Sequence, residues 1–202
     1  MIVVERGKPK EYRDTETKEE GFSVSQIRRI AYDPYAGIPE QTLAAARHRG
    51  TLLHRRFWRM LAAQDQLLEA PAMIAGLEGY CLSMDRWIQA HRVQPVLLEV
   101  PSMNHSLGYG GTPDAGILYE ENIAVLTDLK TGAPTVTDPM QLIAYQKMEQ
   151  YTGFKKLLDL YIQPDGKAAI ERWITPAQRA TQWPWFLSAI GVLKGRMNHA
   201  CL

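Results

Sequence analysis

Along the first half of this chain apolar residues recur at steps of three and four, and at Pro95 the pattern gives way to that of extended strands. From Pro39 onward Leu43, Ala46, Gly50, Leu53, Phe57 and Met60 line one face, which predicts a long amphipathic helix to about Gln64. Ile74, Leu77, Cys81, Met84 and Ile88 repeat the spacing over residues 72 to 94, a second helical stretch that Pro95 ends. Beyond it Val96–Val100 is β-rich, Ser102–Gly116 is rich in turn residues, and Ile117–Tyr119 and Ile123–Lys130 read as further strands. The expectation is a three-stranded meander.

Asp138-Pro139-Met140-Gln141 sets Asp at an N-cap, Pro at the first helical position and Gln at the third, which starts a helix ending near Gly153. Lys156–Ile162 and Ala168–Ile174 are strands about Pro164-Asp165-Gly166, and Thr175-Pro176-Ala177-Gln178 opens a last helix. Nearer the start, Ser23 and Ser25 offer caps for a short helix that Asp33-Pro34-Tyr35 stops. The fold class is therefore α/β, a central mixed β-sheet flanked by helices. Residues 1–22, dense in charge of both signs, are expected as a loose arm or hairpin, with residues 23–202 as a single domain.

Composition narrows the function classes. With 23 Lys plus Arg against 22 Asp plus Glu the formal charge is only +1, so a polyanion has to be met by a local cluster of base. Cys81 and Cys201 are too few for a disulfide framework or a four-thiolate cluster. No apolar run approaches a membrane span and the start lacks the pattern of a signal peptide, so a reducing cytoplasm is expected.

Side chains alternate along Ile123–Lys130, so Asp128 and Lys130 project from one face about 6.5 Å apart while Leu129 points away. Asp114, in Gly111-Thr112-Pro113-Asp114-Ala115-Gly116, leads into the neighbouring strand, and a hairpin brings it beside Asp128. Two converging carboxylates repel unless a divalent cation lies between them, and hard oxygen donors select Mg2+ or Mn2+. A lysine beside such an ion suits phosphodiester hydrolysis, because it offsets charge on a phosphoryl group or orients a water. Glu99 on Val96–Val100 is a secondary ligand candidate; an edge carboxylate facing solvent is the plainer reading.

Pro113-Asp114 followed by Asp128-Leu129-Lys130 resembles the signature of the PD-(D/E)xK nucleases. Gly50-Thr51-Leu52-Leu53-His54 resembles the helical GxxxH element of RecB-like exonucleases, and Gln141-Leu142-Ile143-Ala144-Tyr145 their QxxxY element. The four occur in the family's order, and the flanking elements through about residue 174 suit its restriction-endonuclease-like αβββαβ core. The resemblance implies that Asp114, Asp128 and the Leu129 backbone carbonyl hold a metal, that His54 completes its coordination, and that Lys130 is catalytic, with Gln141 and Tyr145 in the same site. It further implies an exonuclease acting on single-stranded DNA or duplex ends, in the manner of phage exonucleases and the mitochondrial genome maintenance exonuclease. Relatives with four cysteines carry an iron-sulfur cluster; with two, none is expected here.

Gln141 is also placed to serve as the capping partner of Asp138, and Tyr145 to pack in the core. Arg47, Arg49, Arg55, Arg56 and Arg59 make the helix around His54 basic, which suits phosphate contacts, and Tyr109 between two glycines is a candidate strand contact. Trp173, Trp183 and Trp185 are left unassigned. The expected function is metal-dependent DNA exonuclease action in recombination, repair or phage DNA metabolism, with a recombination or single-strand-binding protein as a partner. A structure-specific endonuclease and a non-catalytic nucleic-acid-binding module of the same fold are the alternatives.

Overall fold

The computed structural model describes residues 1–5, 11–64, 71–120 and 122–200. In chain order the elements are β1 (Ile2–Glu5), β2 (Glu11–Asp14), β3 (Glu20–Ser23), α1 (Val24–Ala31), α2 (Glu40–Gln64) and α3 (Glu78–Ala90). Then come β4 (Gln94–Leu98), β5 (Ser102–Asn104), β6 (Tyr109–Gly111), β7 (Ala115–Tyr119) and β8 (Ile123–Lys130). The chain closes with α4 (Asp138–Gln146), a 3-10 turn (Glu149–Tyr151), β9 (Lys156–Tyr161), β10 (Ile170–Trp173) and α5 (Pro176–Ala200).

The main sheet has the order β10-β9-β8-β7-β4. Its β4, β7 and β8 form the expected antiparallel meander, and α4 is the crossover that makes β8 and β9 parallel. The αβββαβ order of the sequence reading is present, with β5 and β6 inserted between the first two strands. Pro95 lies inside β4, on the sheet edge where a missing N–H is tolerated, and the ladder shifts register between Pro95 and Leu97. The helix expected from residue 72 begins only at Glu78. Gly76 adopts φ +77°, which no right-handed helix can carry, and Ile74 and Leu77 reach the core from a turn instead.

The first 22 residues, expected as a loose arm or hairpin, hold strands paired antiparallel in succession. β1, β2 and β3 form, with β6 and β5, a second mixed sheet of order β1-β2-β3-β6-β5, in which β3 runs parallel to β6. The charges alternate outward along β2 while Tyr12 and Asp14 turn inward, and the Tyr12 ring, 2% exposed, covers Gly110, where a Cβ would lie 2.3 Å from it. Arg6, Lys8, Lys10 and Cys201 lie outside the described residues.

Helices cover both faces of the main sheet. Val125 and Leu129 of β8 and Leu158 and Leu160 of β9 face α2 and α3 with Leu53, Phe57, Met84 and Trp87. Leu126 and Leu157 face the opposite way, toward α4 and α5. Alternation therefore directs Asp128, Lys130, Asp159 and Tyr161 into the α4 side, while Thr127 on the other face satisfies its hydroxyl on the Leu158 carbonyl. Among the described residues no helix is long and apolar enough to cross a membrane.

Two glycines test the packing of α2 and α3. A Cβ at Gly79 would lie 1.8 Å from the Pro164 carbonyl oxygen, whereas one at Gly50 would meet only Thr131 Oγ1 at 3.9 Å. Gly79→Ala should cost about 2 kcal/mol or more by forcing α3 off the β9–β10 turn, and Gly50→Ala should stabilise the interior of α2 by about 0.5–1 kcal/mol. Urea unfolding midpoints of the two variants measure both.

Candidate active site

At the C-terminal end of β8, Lys130 Nζ forms an ion pair with Asp128 Oδ2 at 2.5 Å, as the two-residue alternation requires. Gln141, in the first turn of α4, organises the pair. Its Oε1 accepts from Lys130 Nζ (2.9 Å) and from Arg28 Nη1 (3.0 Å). Its Nε2 donates to Asp128 Oδ1 (3.2 Å) and to the Tyr145 hydroxyl (2.9 Å) one helical turn on. Gln141 thus uses both ends of its amide in the site and is not the partner of a cap. Thr137, not Asp138, precedes α4, without a side-chain capping bond. Asp138 is 4% exposed and accepts from the Tyr161 hydroxyl, from Thr135 and from Arg28 instead.

Asp114 joins from the turn before β7. Its Oδ1 lies 2.8 Å from His54 Nδ1 on α2, and its Oδ2 accepts the Leu129 N–H at 2.7 Å. One carboxylate thereby ties the long helix to the end of β8. The Lys130 carbonyl accepts from Ile162 on the β9 side, so alternation turns the Leu129 carbonyl toward β7. Extending the β7–β8 register by two residues from Ala115↔Thr127 places Pro113 opposite it, and proline has no N–H to give.

Burial and charge set the protonation states. Burial disfavours the His54 imidazolium, but the adjacent Asp114 carboxylate outweighs it and raises the pKa to about 9. Burial and the Asp114 charge push Asp128 above the usual carboxylate range, against the pull of Lys130. Lys130 overcomes its own burial through Asp128, Asp159 and Asp138 and is held charged well above the ordinary lysine value.

Two participants lay outside the sequence reading. Asp159 of β9, 1% exposed, stands in register with Asp128 and 4.0 Å from Lys130 Nζ. Neither of its oxygens has a hydrogen-bond partner, and burial pushes its pKa up to about 7. It borders a cavity of about 210 Å3 shared with Thr135, Tyr161, Arg172 and Gln182. A lone acid amid the apolar run Leu157-Leu158-Asp159-Leu160 was its signal in the sequence. Arg28 carried no such signal, because only the docking of α1 on α4 brings it to Gln141.

Other expected residues lie elsewhere. Tyr109 is fully buried, stacks edge-on against Phe186 and donates to the Ala144 carbonyl, so it is a core residue and cannot touch a DNA strand. Glu99 falls beyond the end of β4 with its side chain in solvent; its contact with Asp114 is through its backbone N–H. Arg47 and Arg55 are exposed on α2, Arg47 paired with Glu40, and Arg49 lies over the Tyr80 ring at 5.8 Å. Arg56, one of the basic run, is 4% exposed and paired with Asp85. Burial between α2 and α3 takes it from any phosphate surface.

The donors suit a hard divalent cation in kind. Four carboxylates, Asp114, Asp128, Asp138 and Asp159, gather round Lys130, Arg28 and His54, and the Leu129 carbonyl faces a proline. In this arrangement the imidazole is closed on Asp114 and Asp128 on Lys130. Among the described residues no three His, Cys, Asp or Glu side chains stand close enough to hold an ion as they are. Binding would require His54 to shed its proton and Asp128 to release Lys130.

No family model matches the chain, and no curated protein matches it. Among solved structures, that titled "Crystal structure of SSO0001" matches at 20% identity over 85% of this chain and 76% of that one, with a TM-score of 0.46. LHK-Exo in complex with dAMP matches at 12% identity over 88% of this chain and 90% of that one, with a TM-score of 0.40.

The His54–Asp114 pair has a pH signature. Because the folded pKa of about 9 lies above the ordinary 6.5, its stabilisation is complete below pH 6.5 and is lost as pH rises through 9. In chelator, the melting temperature of the protein should fall by a few degrees more over that interval than that of His54→Gln, as calorimetry would record.

Proposed function

We propose that this protein is a metal-dependent deoxyribonuclease of the PD-(D/E)xK type. The reading is carried by one observation: Asp128, Lys130 and Gln141 form a single hydrogen-bonded set, with Asp114 and His54 joined to the same end of β8. Its ligands would be Asp114, Asp128, the Leu129 carbonyl and a deprotonated His54. When bound there, Mg2+ or Mn2+ supplies Lewis-acid polarisation of a phosphoryl oxygen and a water of lowered pKa.

The protein's own groups divide the remaining work. Lys130 is charged, so it meets a phosphoryl oxygen as a cation rather than accepting a proton. Gln141 fixes where that charge stands, and Tyr145 fixes the Gln141 amide, which explains why the two recur one helical turn apart. Asp159, when ionised, gives Lys130 a second anionic neighbour beside Asp128. The GxxxH and QxxxY elements favour exonuclease action from DNA ends or on single strands, in DNA recombination, repair or phage DNA metabolism.

Asp128→Asn and Lys130→Ala should each lower Mg2+- or Mn2+-dependent degradation of end-labelled DNA at least about 10²-fold. Gln141→Ala should lower it by about tenfold, since Lys130 keeps Asp128 as an anchor. Circular dichroism establishes that the variants are folded. Wild-type activity in any of the three would remove the mechanism. Cutting of a circular single strand would replace exonuclease with endonuclease action, and no turnover with either ion would leave a binding module.

A further inference from the structure

Residues 32–39 between α1 and α2 are almost continuously exposed, yet they present three large apolar side chains. Tyr32 is 49% exposed, Tyr35 38% and Ile38 40%. Exposed apolar residues scattered singly require no explanation, but aromatics grouped on one short connection do. Tyr35 is flanked by base. The Arg29 guanidinium lies over the Tyr35 ring at 5.7 Å. Arg47 of α2, whose pKa is raised first by its hydrogen bond to Glu40, is within electrostatic reach of Tyr35. Tyr35 thus has a cation of α1 over its ring and a cation of α2 nearby.

Both helices lead directly to the candidate active site. The Tyr32 N–H bonds to the carbonyl of Arg28 at 3.0 Å, and the Arg28 side chain contacts Gln141. From Arg47, two turns along α2 reach His54, about 10 Å away. The connection joins the helix that carries Arg28 to the helix that carries His54.

From this placement we propose that Tyr32 and Tyr35 form a base-stacking platform that receives the unpaired nucleotides of a single-stranded DNA segment entering the site, with Arg29 and Arg47 on its phosphates. The proposal rests on the nuclease reading for the identity of the strand and assigns to it the residues that receive unpaired bases. Aromatic faces stack on any base but only on one that is unpaired. Intact duplex hides its bases in the stack, so the platform discriminates for single strands without reading sequence. The Arg47–Glu40 pair is solvent-exposed, and exposed pairs are held weakly enough for a phosphate to displace the glutamate.

The test is fluorescence anisotropy with the full chain in chelator, where degradation cannot interfere. The probes are a labelled single-stranded oligonucleotide, an abasic oligonucleotide of equal length and a blunt hairpin duplex. Tyr32→Ala/Tyr35→Ala should weaken single-strand binding at least about tenfold, while binding of the abasic strand and the duplex changes less than twofold. Tyr35→Phe in the Tyr32→Phe background, which keeps both rings, should restore single-strand affinity. Equal affinity of wild type and the alanine variant for the single strand would overturn the proposal, as would an equal loss on the abasic strand. If DNA binding is unchanged and the alanine variant instead loses self-association in sedimentation, the patch is a protein interface and the proposal fails. The nuclease reading is judged separately, by turnover of the wild-type protein with Mg2+ or Mn2+. Selective single-strand binding by a protein without turnover would sink that reading and leave the platform standing.

Discussion

The arrangement depends on how a charged lysine is kept inside the α4 side of the main sheet. An ammonium group there has lost most of its hydration and persists only if oxygen atoms replace the water. Asp128 Oδ2 and Gln141 Oε1 do so at hydrogen-bond distance, and Asp159 adds a more distant negative charge. Each partner is itself held: Asp128 by Gln141, and Gln141 by Tyr145 and Arg28. The side chains are therefore positioned before any substrate arrives, which is the condition under which electrostatic stabilisation of a transition state costs no reorganisation.

Asp114 does for the other face what Gln141 does for this one. Its two oxygens face different elements, one the His54 imidazole of α2 and the other the Leu129 N–H of β8. Asp114 and Asp128, fourteen residues apart in sequence, thus come from the two sides of one strand end. A hairpin argument from sequence brings the two acids near each other, and it misses that the contact passes through the backbone of Leu129.

Much of this was legible because strands obey a period of two. Alternation alone set Asp128 and Lys130 on a common face and Leu129 in the opposite core, and the capping residues at Thr175 and Gln178 located the start of α5. What stayed hidden depends on tertiary docking. Tyr109 between glycines reads as a loop residue, yet Gly110 and Gly111 are small because the Tyr12 and Tyr145 rings press against them, and that close packing buries Tyr109. Asp138 in an Asp-Pro-x-Gln string reads as a cap. Its carboxylate is claimed by Tyr161 and Arg28, residues that local sequence cannot bring to it.

The amino-terminal strands acquire a role through the same docking. Ser23 closes β3 and caps α1 in a reciprocal box with Gln26, so the exit of the second sheet sets where α1 begins. Arg28 follows within two turns, and α1 packs against both α4 and α5. Because Arg28 and Lys130 both donate to Gln141 Oε1, the register of α1 bears on the position of the lysine. The second sheet bears on the reacting groups through one cap, two helical turns and a guanidinium, and it meets the Tyr145 ring through Gly111 of β6. A charged segment that composition reads as a loose arm or hairpin thus carries part of the geometry on which the candidate chemistry rests.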